Sequence, residues 1–250
     1  MTIPLFKSHY SLGKSILTLE KEDLGENYPT SVFSLANQGN LEEVPLVEDN
    51  MSGFLQAYTN AKDLKVKLIF GLRVTICQDM TEKSEESLKK SSKIILFTKN
   101  AKGYKKLIKI YSDAARIGFY YVPRIDYKYL SENWDENNLK LCIPFYDSFI
   151  EKNMLWGSSC VPDFSFTSPT FFVENNDLPF DHLIEEGIVS FVQKKYQQEK
   201  TKSIYYENKN DFKAYLTFRC INNRSTLDKP NLDHMSSDEF SFESWKEQNG

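Results

Sequence analysis

The chain has 250 residues, 40% hydrophobic and 14% aromatic, with 31 Lys+Arg against 35 Asp+Glu and a formal net charge of -4. This apolar content is enough for a packed core in one large domain or two small ones and excludes disordered and collagen-like classes; the acidic balance excludes a global positive field and confines any nucleic-acid contact to local patches. Apolar runs such as residues 66–70 and 187–192 fall well short of the ~20 residues of a membrane span, and residues 1–7, Met-Thr-Ile-Pro-Leu-Phe-Lys, lack the features of a secretory signal, so a cytoplasmic protein without membrane contact is expected.

Residues 31–39 place Val32, Phe33, Leu35 and Ala36 at helical spacing and end at a glycine. Residues 43–47 read as a brief strand, residues 51–62 as a helix carrying Phe54, Leu55, Ala57, Tyr58 and Ala61, and residues 66–76 as a β-branched strand interrupted at Gly71. The charged stretch 81–90 suits a solvated loop or exposed helix. Residues 93–98 form a buried-strand pattern, and residues 104–117 set Leu107, Ile108, Tyr111, Ala114 and Ala115 on one helical face. This alternation predicts parallel strands joined by right-handed crossovers. Further on, residues 139–145, 171–174 and 202–206 read as strands and 181–192 as a helix, with 212–220 as a last amphipathic helix before a polar tail. No repeat or linker divides the chain, so one domain over 1–250 is expected. A barrel-like α/β arrangement and an open sheet fit this pattern equally.

Cys77, Cys142, Cys160 and Cys220 show no CxxC spacing and no neighbouring histidine, so buried free thiols are expected rather than a zinc knuckle or disulfides. The three histidines, His9, His182 and His234, are few for a protein using imidazole as metal ligand or proton shuttle.

Residues 99–109 (Lys-Asn-Ala-Lys-Gly-Tyr-Lys-Lys-Leu-Ile-Lys) followed by 118–126 (Gly-Phe-Tyr-Tyr-Val-Pro-Arg-Ile-Asp) resemble the PHP domain at the N-terminus of the alpha subunit of bacterial DNA polymerase III. There a "KN..GY.NL" corner precedes "GFYY.PRID" at similar spacing. Residues 222–230 and 236–240 resemble that family's "GKTLDDP" and "SDEFYL" segments, and Tyr10-Ser11, residues 50–58 and residues 67–71 add weaker matches. The resemblance implies a distorted (β/α)7 TIM-like barrel with a site at the C-terminal ends of its strands. In metal-binding members that site holds a three-metal cluster for phosphoester hydrolysis, which requires converging histidines and carboxylates.

Aligning Ser8-His9-Tyr10-Ser11 with the family's "S.YS" puts Leu5 and Lys7 where its His-x-His belongs, and His9 on a neighbouring variable position. Spacing back from Tyr58 and Gly71 places Glu48-Asp49 at the family's Asp-His pair; the similar text Gln38-Gly39-Asn40-Leu41 reads as a decoy at a helix end. The family's Gly-x-Glu becomes Gly71-Leu72-Arg73, a histidine before its "AKN" becomes Lys93, and its closing Asp-x-His falls on Ser203 and Tyr205. Around residues 142–147 no match is assigned. The vestigial positions are thus Leu5, Lys7, Glu48, Asp49, Arg73, Lys93, Ser203 and Tyr205, with no catalytic, cofactor-binding or metal-binding residue expected. Added cations repel metals by about 4 kcal/mol per pair at ~4 Å and an effective dielectric of ~20, so Lys7, Arg73 and Lys93 are expected to converge on Glu48 and Asp49 in a salt-bridge network.

Four other features have simpler readings. Gly13-Lys14-Ser15 ends like a P-loop without its upstream glycine. Asp181 before His182 suits a helix cap. The aromatics Phe145, Tyr146, Phe149, Trp156, Phe164, Phe166, Phe171 and Phe172 suit a core, with an exposed interface patch as the alternative. Lysines interleaved with aromatics in 102–109 and 194–206 suit solvated helix faces rather than nucleic-acid contacts.

The resemblance implies a PHP domain of a C-family replicative polymerase alpha subunit, its divergence suiting a phage-encoded protein. Its expected role is non-catalytic, structural and partner-docking, without cofactor, and it does not polymerise DNA alone because the family's palm, fingers and thumb lie beyond it. Expected partners are the remaining polymerase domains or subunit and a proofreading exonuclease, with DNA contacted only indirectly. Two alternatives stand: an active phosphoesterase or exonuclease using Zn, Mn or Mg at a site remodelled from Glu48, Asp49, Asp147 and His9, and an anion- or nucleotide-binding barrel using Lys7, Arg73 and Lys93.

Overall fold

The computed structural model describes residues 2–25, 28–157, 161–228 and 237–249. Cys160, His234, residues 229–230 and 236 and the Trp156 ring lie outside what is described. The elements run β1 (Ile3–Phe6), α1 (Val32–Gln38), β2 (Glu43–Glu48), α2 (Phe54–Leu64), β3 (Lys67–Cys77), α3 (Glu85–Lys89), β4 (Ser92–Thr98), α4 (Ala101–Arg116), β5 (Arg124–Asp126), α5 (Tyr127–Asn133), β6 (Leu139–Ile143), α6 (Phe149–Trp156), β7 (Thr170–Val173), α7 (Asp181–Val192), β8 (Gln197–Ile204), α8 (Phe212–Asn223) and α9 (Phe242–Asn249).

The strands hydrogen-bond in the order β2-β1-β8-β7-β6-β4-β3-β5, with a further β2–β3 pairing. Apart from β5 that order returns to its start, which is the connectivity of a closed seven-stranded α/β barrel. Contacts divide the chain into two compact units. The first comprises residues 1–70, 174–181 and 200–250; the second comprises 71–173 and 182–199.

In the first unit, β1 pairs in parallel with β2 and β8. Its core includes Phe6, Leu35, Val44, Leu46, Ile204 and Phe242, all fully buried. Ser31 caps α1 by accepting the N–H of Phe33, and Gly39 closes it, as the sequence pattern predicts. The polar tail is not featureless. Residues 242–249 form α9, because Phe242 and Trp245, one turn apart, bury against the N-terminal segment: their rings stack at 5.3 Å, Phe242 lies 6.2 Å from Phe6, and Trp245 Nε1 donates to the Thr2 carbonyl.

In the second unit the expectation of an all-parallel sheet is corrected: β4 runs antiparallel to both β3 and β6, while β3–β5 and β6–β7 are parallel. The 78–91 connection contains only the five-residue α3, too little helix to return the chain to a parallel start, so β4 folds straight back. The interruption expected at Gly71 is also absent. Gly71 pairs with Phe97, and a Cβ there would stand 2.6 Å from the Phe97 ring, so glycine permits close approach within a continuous strand. Phe145, Phe149, Phe164, Phe171 and Phe172 are buried, making the aromatic stretch mostly core. Cys77, Cys142 and Cys220 are buried thiols outside any disulfide.

Candidate functional site

In the first unit the C-terminal ends of β1, β2 and β8 carry six of the eight positions that the resemblance singles out. The pairing register sets Leu5 directly opposite Ser203. Lys7, just after β1, is 4% exposed and places its Nζ 3.0 Å from Asp49 Oδ1. Glu48, the last residue of β2, is fully buried; it accepts the Ser8 N–H at 2.9 Å and the hydroxyl of Ser11. Burial pushes the Glu48 carboxyl above its ordinary range against the opposing influence of Lys7 and the serine hydrogen bonds. Ser11 Oγ also accepts the Asp49 N–H at 2.8 Å, so this hydroxyl both donates and accepts within the protein. The Ser15 hydroxyl reaches the carbonyls of Lys7 and Tyr205, and the Tyr205 ring stacks on Phe240 at 5.1 Å.

A further carboxylate appears here that sequence reasoning missed. Glu174, directly after β7, is buried and accepts the Ser203 hydroxyl at 2.8 Å, the Ser203 N–H at 3.0 Å and the Asn176 side-chain amide at 3.0 Å. Only strand pairing brings residues 174 and 203 together. No local pattern marks Glu174.

In the second unit Arg73 donates to the Tyr146 carbonyl at 2.7 Å and to Asp147 Oδ2 at 2.9 Å. Lys93 Nζ donates to the Thr75 hydroxyl at 2.7 Å, and its backbone N–H to the Asp147 carbonyl at 2.8 Å. Asp147 holds φ at 59° and donates its N–H to Glu151, whose carboxyl is pushed up to about 7 by burial and by the neighbouring Asp147 charge. Ser148 caps α6 by accepting the Glu151 N–H, so Ser148-Phe149-Ile150-Glu151 carries the spacing of a capping box, a sequence signal that marks Glu151. The expected convergence of three cations on Glu48 and Asp49 is therefore met by Lys7. Arg73 takes Asp147 as its carboxylate partner, and Lys93 takes Thr75 as its side-chain acceptor.

The metal cluster implied by the resemblance does not fit these residues. The two β2-end carboxylates are engaged by an ammonium group and by serine donors rather than left open to a cation. Among the described residues no three His, Cys, Asp or Glu side chains are grouped so as to hold a metal ion. His9 directs Nδ1 to the Leu17 carbonyl at 3.2 Å.

The model of the PHP domain family matches residues 22–155, more than half of the chain. This chain belongs to the PHP domain family. It is similar to the DNA polymerase III subunit alpha of Borreliella burgdorferi, 33% identical over 100 residues, a match covering 39% of this chain and 9% of that protein. The DNA polymerase III subunit alpha of Helicobacter pylori is 39% identical over 84 residues, 34% of this chain and 7% of that protein. The one from Chlamydia trachomatis is 33% identical over 86 residues, again 34% and 7%. The matched stretches thus span less than a tenth of these relatives.

The motif residues of this PHP domain have structural work. Asn100 caps α4 by accepting the N–H groups of Lys102 and Gly103, and a Cβ on Gly103 would meet the Asn138 carbonyl at 2.0 Å. Arg124 is fully buried, and Asp126 caps α5 while accepting the Met80 N–H at 3.0 Å. Glu239 of the "SDEF" segment pairs with the buried Lys202 at 3.1 Å and with Lys209 at 3.3 Å. Asp181 departs from its expected role. It begins α7 as a helical residue, and its carboxylate holds the preceding loop by accepting the N–H groups of Asn176 and Leu178. Gly13 holds φ at 70° against Asn222, a tight turn rather than a phosphate cradle.

Proposed function

We propose that this PHP domain serves a DNA polymerase III alpha as a non-catalytic, structural and partner-docking module, taking no metal cofactor. The observation that carries the reading is the Lys7–Asp49 ion pair, with Lys7 4% exposed, beside a buried Glu48 satisfied by Ser8 and Ser11. One internal ammonium group and serine donors occupy the carboxylates that hydrolysis needs for metal. The chain works as one domain in the cytoplasm, its partners are the rest of a polymerase and a proofreading exonuclease, and its divergence suits a phage source. Support for the polymerase context is the similarity to parts of three DNA polymerase III alpha subunits.

The test is metal content by mass spectrometry on protein purified without chelator and then dialysed against Zn²⁺, Mn²⁺ or Mg²⁺. Under this reading less than about a tenth of an equivalent is retained, and oligonucleotide and phosphate-ester hydrolysis stay at background with each metal. Retention of about one equivalent or more, with hydrolysis that a chelator abolishes, makes phosphoester hydrolysis the function instead.

A further inference from the structure

We propose that the outer face of α4, together with the turn that follows it, is a docking surface for single-stranded DNA. The proposal stands on charge and aromatic placement within the second unit and is independent of the metal question.

Residues 99–109 contain five lysines and no acidic residue, in a chain whose net charge is -4. Helix α4 buries Gly103, Leu107, Ile110 and Ala114, and that face turns Lys102, Lys105 and Lys109 to solvent together with Ile108. Lys102 and Lys105 make no ion pair among the described residues, and Lys109 donates to the neutral amide of Asn133 at 2.8 Å. Of the neighbouring acids, Asp113 is engaged by Arg116 at 2.9 Å and the Tyr129 hydroxyl at 2.6 Å and Asp135 by Lys106 at 3.4 Å, while Glu132 is exposed beside Asn133. From Lys102 to Arg116 the helix rises about 21 Å, room for several phosphates.

Directly beyond α4, Phe119 and Tyr121 are 53% and 73% exposed. Tyr121 sits at φ 59°, a conformation that bulky residues avoid, and the turn is closed by the Tyr120 N–H donating to the Val122 carbonyl at 3.2 Å. Buried Arg124 holds this turn from beneath. It donates to the Gly118 carbonyl at 3.1 Å, the Ser87 hydroxyl at 2.9 Å and the Glu82 carbonyl at 2.6 Å, with its guanidinium 5.4 Å from the Tyr120 ring. A Cβ on Gly118 would meet the Arg124 carbonyl at 1.8 Å, so the backbone here is closely seated. The fold therefore spends a buried arginine on a rigid turn that presents two aromatic rings to solvent at the end of a lysine-lined helix. Lysines track phosphates and exposed rings stack on unpaired bases, a combination that favours a single strand over a duplex with hidden base faces.

The experiment is fluorescence anisotropy of a labelled oligothymidylate of about 20 nucleotides with the full chain. With three or four phosphate contacts, raising salt from about 50 to about 200 mM weakens binding roughly 20- to 50-fold. Lys102→Glu/Lys105→Glu/Lys109→Glu loses at least about tenfold in affinity and flattens the salt slope, whereas Lys21→Glu/Lys67→Glu leaves both unchanged. Phe119→Ala/Tyr121→Ala loses about fivefold or more with the salt slope intact, a signature of stacking. Ultraviolet cross-linking of bromodeoxyuridine-substituted DNA to the unaltered protein, expected within residues 117–122, tests the surface without any variant. The proposal is overturned by undetectable binding at low salt, by equal affinity for duplex DNA or polyglutamate, by an unaffected triple variant, or by cross-links confined elsewhere.

Discussion

Replacing Lys7 by Met removes the ammonium group and keeps most of the side-chain volume, which isolates the charge. Lys7 is 4% exposed, whereas Asp49 is 28% exposed. Removing one partner from a buried pair costs about 3–5 kcal/mol, and partial hydration of the Asp49 left behind brings the expected loss to about 2–3 kcal/mol. Nearby Glu48 also loses the cation that opposes its desolvation, so its carboxyl rises further above the ordinary value of 4.5. A carboxyl raised in the folded state binds its proton more tightly than in the unfolded chain, so stability falls as pH climbs above that ordinary value. The Lys7→Met deficit is therefore largest near pH ~8 and smaller near pH ~5. At about 2–4 °C per kcal/mol for a chain of this size, thermal denaturation followed by circular dichroism shows Tm falling by about 4–12 °C at the higher pH. Lys7→Met/Asp49→Asn recovers most of the loss, because the stranded charge is gone. A Tm within about 1 °C of the parent at pH ~8, or an equal deficit at both pH values, refutes the assignment of Lys7 as the cation that this end of the fold requires.

Glu151→Gln removes a charge beside Asp147 while retaining an oxygen for the Asp147 N–H. Because the Glu151 carboxyl is pushed up from 4.5 to about 7, its ionisation opposes folding as pH rises through that interval. Gln should stabilise the protein above pH ~7, by at most about 3 kcal/mol, and lose its advantage below pH ~4.5; denaturant titrations across pH check this sign. Arg73→Glu places a third carboxylate against Asp147 and Glu151 and leaves the Tyr146 carbonyl without its guanidinium donor. A loss of about 2–4 kcal/mol is expected, and an unchanged urea midpoint speaks against the Arg73–Asp147 pair as a structural element.

Much of the architecture was legible where periodicity is local. The helices at 31–39, 51–62, 104–117 and 181–192 and the strands at 43–47 and 93–98 all appear within a few residues of their expected ends. What escaped is equally specific. Strands β1 and β5 are four and three residues long, too short to show a period. The first half of β8, Gln197-Gln198-Glu199-Lys200, is polar and largely exposed, so it reads as loop. Helix α9 declares itself only through Phe242 and Trp245, whose partners Phe6 and Thr2 lie at the other end of the chain.

The same division applies to the site. From residue identity alone, leucine, lysine, arginine, serine and tyrosine are expected at the positions that the resemblance aligns with imidazole and carboxylate ligands, because donor chemistry belongs to the side chain wherever it lies. Identity also marked the "KN..GY" and "PRID" segments, whose Asn100, Gly103, Arg124 and Asp126 make caps, a close approach and a buried clamp. Which charge answers which was decided by the tertiary structure. Lys7 meets Asp49 across 42 residues, Arg73 meets Asp147 across 74, and Ser203 meets Glu174 across 29. An ion pair's strength depends on distance and burial, and both arise only when strand order and register bring distant residues side by side.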